Sequence, residues 1–151
     1  MKSLMTAYLL LAFASPAAAA APAGPGVGVV AGDPTGGTFR YFLSPTRSVD
    51  LGVGYSGDAV LWADHAWHSW DLLPKPPSGE FDAWASVGVR LETASDPEFG
   101  VRTLLGGSYW FPRHPFELFA TAGPVFRLSP DGGVDADGGR GVRVYFGGPG
   151  G

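Results

Sequence analysis

A chain of 151 residues suits one domain, and a net charge of −4 excludes nucleic acid as a natural partner. The absence of Cys removes disulfides, thiolate metal sites, Cys nucleophiles and a lipidated N-terminal Cys together. With 24 Gly and 14 Pro, but 45% hydrophobic and 13% aromatic residues, the composition points to many short strands cut by tight turns and not to disorder.

Residues 1–20 read as a secretory signal peptide. Lys2 supplies the positive start, Leu4 to Phe13 the apolar run, Ser15-Pro16 the helix break and Ala18-Ala19-Ala20 the small-residue cleavage box. The apolar run is too short to span a bilayer as a helix. Residues 21–146 then form one β domain, and 147–151 (GGPGG) a Gly-rich tail.

Eight stretches of that domain carry strand patterning. The first is Gly26 to Ala31; a turn over Asp33 to Gly37 leads to the second, Thr38 to Leu43, with Phe39, Tyr41 and Leu43 opposite Arg40. The third, Ser48 to Ser56, sets Val49, Leu51, Val53 and Tyr55 against Asp50, Gly52, Gly54 and Ser56. Gly57-Asp58 is a hairpin signal. The fourth, Ala59 to Trp70, puts Trp62, Asp64 and His68 on one face; Asp71 to Gly79 contains three Pro and breaks the pattern. The fifth, Glu80 to Glu92, separates Phe81, Ala83, Ala85, Val87, Val89 and Leu91 from Asp82, Trp84, Ser86, Gly88, Arg90 and Glu92. The sixth, Glu98 to Phe111, has Arg102, Ser108 and Trp110 on its polar face. The seventh, Phe116 to Ser129, has Glu117, Thr121 and Arg127 there, with a bulge or bend expected at Pro124. Pro130 to Asp137 reads as a Gly/Asp loop, and the eighth strand is Gly139 to Phe146, with Arg143 and Tyr145 opposite Val142, Val144 and Phe146.

Eight antiparallel strands close into a barrel in two opposite ways: apolar inside, as in a soluble ligand-binding barrel of the lipocalin type, or polar inside with an apolar exterior in a membrane. The polar face here mixes Arg with carboxylates among Gly, Ser and Thr, and holds no Lys, whereas a solvated exterior is Lys- and Glu-rich. Arg40, Asp50, Asp64, His68, Arg90, Arg102, Glu117, Arg127 and Arg143 are therefore expected to form a polar network in a narrow lumen, where bidentate Arg pairs suit satisfaction without water. Aromatic residues on the apolar face fall near strand ends, as interfacial girdles do. The fold class is all-β, an eight-stranded antiparallel up-and-down transmembrane β-barrel.

On the residues Gly26 to Val30, Leu51 to Tyr55, Leu118 to Pro124 and Gly141 to Phe146, the domain resembles the small eight-stranded outer-membrane barrels of Gram-negative bacteria, the OmpA/OmpX-like superfamily. The resemblance implies an outer-membrane location, contact with lipid and lipopolysaccharide, a monomer, and engagement of the barrel assembly machinery through a C-terminal signal on Gly141, Val144 and Phe146. In that family the last aromatic usually ends the chain; here five residues follow it.

Chemistry-bearing clusters are sparse. His65 and His68 lie on opposite strand faces and do not share a metal, while Asp64 and His68 share one and are placed to pair. His68 and Ser69 are neighbours whose side chains diverge, so they do not make a Ser–His pair. Asp131, Asp135 and Asp137 offer hard oxygen ligands for Ca²⁺ but lack the spacing of an EF-hand loop. No cofactor or metal is expected, and the leading role is structural or surface-interacting without catalysis. The alternatives are a soluble periplasmic binder and a barrel-embedded lipid-modifying enzyme. Both termini are expected to face the periplasm, because an even strand number returns the chain to its starting side.

Overall fold

Each period-two stretch forms a strand in the computed structural model, which describes residue 22 and residues 24–146. The signal-peptide segment and the GGPGG tail lie outside the described residues. The strands are β1 (Gly26–Asp33), β2 (Thr35–Ser44), β3 (Arg47–Ser56), β4 (Asp58–Ser69), β5 (Glu80–Glu92), β6 (Glu98–Trp110), β7 (Phe116–Ser129) and β8 (Gly133–Tyr145). Each pairs antiparallel with its chain neighbour, and β8 closes on β1 to complete the barrel. Among the described residues there is no helix.

Several boundaries differ from the sequence reading. The turn expected over Asp33 to Gly37 contracts to Pro34, because β1 and β2 both run into it. The Gly/Asp loop is mostly strand: β8 starts at Gly133, pairing Asp135 with Val125 and Asp137 with Gly123. Pro124 causes no bulge. Arg102↔Val125 and Leu105↔Ala122 keep one register on either side of it, and Pro124 stays paired with Ala136. A missing N–H removes a ladder bond but inserts no residue. The register shift of this hairpin lies instead between Phe99 and Gly100. At the β3–β4 turn Gly57 has φ +80°, a conformation L side chains rarely adopt.

A row of paired residues followed from Gly26 through Arg40, Asp50, Asp64, Gly88, Arg102, Val125 and Asp135 returns, on the extended β1–β8 register, at position 36, ten residues along from its start. That stagger tilts the strands and brings residues from distant strand positions to one height in the lumen. Gly26 pairs with Tyr145, so both ends of the described barrel sit together, at the end carrying the longer connections 70–79 and 111–115. We call this the terminal end and the opposite one the far end.

The two faces are dressed in opposite senses. Val53, Tyr55, Val87, Leu105, Leu118 and Phe126 are exposed on the exterior, while Arg40, His68, Asp82 and Glu117 are fully enclosed. A soluble barrel reverses this arrangement. Exterior aromatics gather toward both ends, with Trp67, Phe111 and Phe116 toward one and Tyr55, Phe99 and Phe126 toward the other.

Candidate functional site

The lumen is filled in layers, each built from alternate residues of several strands. At the terminal end Phe42, Trp70, Trp110 and Tyr145 form an aromatic plug, with ring centroids 5.9 Å apart for Phe42–Trp110 and 5.0 Å for Trp110–Tyr145. The Trp70 indole donates to the Pro45 carbonyl at 2.7 Å, which ties the plug to the β2–β3 turn.

Above the plug, His68 links Ser48 and Asp82: its Nε2 lies 2.7 Å from Ser48 Oγ and its Nδ1 2.7 Å from Asp82 Oδ2. His68 does not pair with Asp64, contrary to the expectation from their shared face. The stagger places Ser48 on β3 and Asp82 on β5 at the level of His68, while Asp64 lies four residues away along β4, beside Arg102.

The next layer centres on Glu117. Its Oε1 accepts from Arg143 at 2.9 Å and from the Tyr145 hydroxyl at 2.6 Å; its Oε2 accepts from Arg40 at 3.1 Å and from Ser108. Arg40 also grips Asp50 with two bonds, Nε–Oδ1 2.6 Å and Nη2–Oδ2 2.7 Å, and its guanidinium lies 4.6 Å from the Trp84 ring. This is the fork geometry that Arg offers and Lys does not.

Toward the far end Arg102 holds Asp64 and reaches Asp137 at 3.1 Å, and Arg90 lies 3.3 Å from the same Asp137 oxygen and 3.7 Å from Glu92. Between the two charged layers a cavity of about 40 Å³, lined by Asp50, Trp62, Asp64, Trp84, Arg102 and Arg143 among others, is far too small for an aqueous path. Four buried Arg face five buried carboxylates, and His68 stands beside one of these, Asp82. Charges at this depth persist only when paired.

Of the nine residues expected in the network, eight are buried here: Arg40, Asp50, Asp64, His68, Arg90, Arg102, Glu117 and Arg143. Arg127 is not. It sits at the far rim with its side chain 30% exposed, bridging Asp135 at 2.8 Å and Glu98 at 4.0 Å, because β7 extends past the filled part of the lumen. Ser48, Asp82, Ser108, Asp137 and Tyr145 complete the network; Asp82, Ser108 and Tyr145 were read on polar faces without being assigned to it, and Asp137 was read as a loop acid. Asp137 carried a readable signal: positions 137, 139, 141, 143 and 145 continue the inward phase of Arg143. The loop acids do not converge as a Ca²⁺ site would require, since Asp137 points at Arg102 and Asp135 at Arg127. Among the described residues no group of three or more His, Cys, Asp or Glu is arranged to hold a metal. In the C-terminal triplet, Gly141 lies against the Phe119 ring, Val144 pairs outward with Val27, and the exposed Phe146 donates its N–H to the Pro25 carbonyl at 3.0 Å.

Ser48, His68 and Asp82 share the bonding order of a Ser–His–Asp hydrolase triad, in which the acid orients the imidazole and the other ring nitrogen takes the hydroxyl proton. Ser48 is fully buried, and Phe42 stacks on His68 with centroids 4.7 Å apart.

No protein-family model matches the chain, and no curated protein matches it. Among solved structures, the N-terminal β-barrel domain of Pseudomonas aeruginosa OprF matches with a TM-score of 0.55 at 17% identity, covering 81% of this chain and 95% of that one. With its eight strands, single closed sheet and neighbour-to-neighbour order, the chain has the fold of the small OmpA-like barrels.

Proposed function

We propose that the protein is an outer-membrane β-barrel with a structural or surface-interaction role and no catalytic one. The observation that carries this reading is the inverted dressing of the barrel: paired charges and their partners inside, an apolar exterior outside. In lipid every backbone polar group must be satisfied within the chain, and closure of β8 on β1 leaves no open sheet edge. The interlocked Arg and carboxylates make the lumen a rigid strut and block conduction. The short far-end turns meet lipopolysaccharide, the terminal end faces the periplasm, and the assembly machinery inserts the chain from that side.

The test is refolding of residues 21–151 from urea. Strand circular dichroism and a heat-dependent gel mobility shift are expected in detergent micelles and not in plain buffer. A monomeric β-rich protein in plain buffer would reverse the reading and leave a soluble binder.

The Ser48–His68–Asp82 chain favours one second reading, a hydrolase that opens its terminal end. The seal over Ser48 weighs against it. A fluorophosphonate probe on the folded protein is expected to leave Ser48 unlabelled; labelling abolished by Ser48→Ala and His68→Ala would favour the hydrolase.

A further inference from the structure

Arg140 places a cation on the exterior away from the strand ends, whereas the outward cation of β3, Arg47, stands at the start of its strand and bonds His65. Arg140 lies on the even, outward phase of β8 with Val142 and Val144, and it is exposed on the exterior, not enclosed in the lumen with Arg40, Arg90, Arg102 and Arg143. Among the described residues it makes no ion pair and no side-chain hydrogen bond. Its partners across the ladder are Ala31 on β1 and Ala120 on β7, neither of which offers an acceptor. The surrounding exterior is a shallow apolar groove that includes Val29, Ala31, Gly107, Ala120 and Val142.

Its height matters more than its exposure. Ala120 lies between two exterior aromatics of the same strand, Phe116 and Phe126, which are ten residues apart. At about 3.3 Å per residue and a tilt near 40°, ten residues span about 25 Å, the height of the lipid-facing band of such barrels. Arg140 is thus close to mid-band, about 10 Å from the level of Phe116 and further from that of Phe126. A guanidinium reaches about 7 Å from its backbone, so lipid phosphates at either interface are out of range. An ionised group at that depth calls for a counter-charge at the same depth.

We propose that the face centred on Arg140 is a docking surface for a different membrane protein, which presents a carboxylate from one of its own membrane-spanning segments. This rests on the membrane reading above. Small residues on both sides of Arg140 allow close approach of a neighbouring backbone, as at packed interfaces within membranes. A second copy of this chain does not supply the anion at that depth. Among the described residues of a second copy the one outward-phase acid between the girdles is Asp33, the last residue of β1, which already accepts from Ser56 and lies two residues beyond the level of Arg140, against the far-end turn. Two copies meeting face to face would instead bring two Arg140 together.

The test is site-specific photocrosslinking of the full chain in its native cells, with p-benzoylphenylalanine at Ala120 and, as control, at Val53 on another exterior face. A discrete protein adduct is expected at position 120 and not at 53. It should fall at least tenfold in Arg140→Leu and survive in Arg140→Lys, and peptide mapping should place the crosslink on a membrane-spanning segment containing Asp or Glu. An adduct unchanged by Arg140→Leu, an adduct to lipid or to a second copy, a mapped segment lacking an acid, or no protein adduct would each overturn the proposal. In parallel, the purified barrel in phosphatidylcholine vesicles lacks its counter-charge, so Arg140→Leu should favour folding by about thirtyfold or more. Weaker folding of that variant would mean that Arg140 is satisfied within the chain. Fractionation separates the two levels: a chain absent from membranes defeats the membrane reading, whereas a membrane-embedded chain without the adduct defeats only the docking face.

Discussion

Glu117 and Arg127 belong to the same class of lumen-facing charge on the same strand, yet they should respond very differently to truncation. Glu117 accepts from four groups on β2, β6 and β8 with no exposure, so Glu117→Ala leaves Arg143 without its carboxylate and Arg40 with Asp50 alone. Removing one partner of a buried charge network costs about 3–5 kcal/mol. A urea titration in micelles should show that loss, with Glu117→Gln costing less because it retains hydrogen bonds to its neighbours. Arg127→Ala at the open rim should change stability by less than about 1 kcal/mol, as exposed pairs do. An equal loss for both variants would mean that the lumen is solvated along its length and that the layered network is not what holds it.

The strand elements were legible from period two alone, since alternation such as Val49-Asp50-Leu51-Gly52-Val53 specifies a face without needing a partner. What pairs with what was not legible. Arg40 meets Glu117 across 77 positions only because the sheet closes with a ten-residue stagger, and no local signal encodes that number. The same stagger sends His68 to Ser48 and Asp82 and not to Asp64, which is close in sequence and on the same face. Asp137 was hidden by composition: Asp-Gly-Gly at both ends of that stretch reads as loop, although its alternation is continuous with the last strand. Phe42 and Trp70, which cap the lumen with Trp110 and Tyr145, were not assigned to a face from sequence.

Glycine placement makes a prediction at this same scale. Trp62 pairs with Gly52 across β3–β4, and Trp84 with Gly106 across β5–β6; in each case the indole lies over the glycine, where a side chain would strike the ring. Trp84 also donates to Ser108 at 3.1 Å and carries Arg40 on its face. Gly106→Val should therefore cost about 1–3 kcal/mol by overpacking. It should also shift the Trp fluorescence of the folded barrel. Gly107→Ala, one residue on and facing the open exterior, should be near neutral in the same urea titration.

For the whole molecule, the decisive feature is which face meets the apolar phase. On the proposed membrane reading, a barrel whose charges pair inward and whose Val, Leu and aromatic residues point outward takes a bilayer about as thick as the span between its aromatic girdles as its solvent. Val87→Arg places a charge on the exterior of β5 at mid-strand, opposite Thr103 and His65. It should cost about 2–4 kcal/mol in vesicles and slow assembly into membranes. If the exterior were solvated, the same change would be nearly silent.

Because the sequence contains no Cys, single cysteines report position without background. The most direct measurement is nitroxide accessibility at Val53, Val87 and Leu105, on the exterior, in the refolded protein in vesicles. Collision with lipid-dissolved oxygen is expected to exceed collision with a water-soluble nickel chelate at all three sites, by most at mid-strand. Preferential collision with the nickel chelate would place the apolar exterior in water and contradict the membrane barrel.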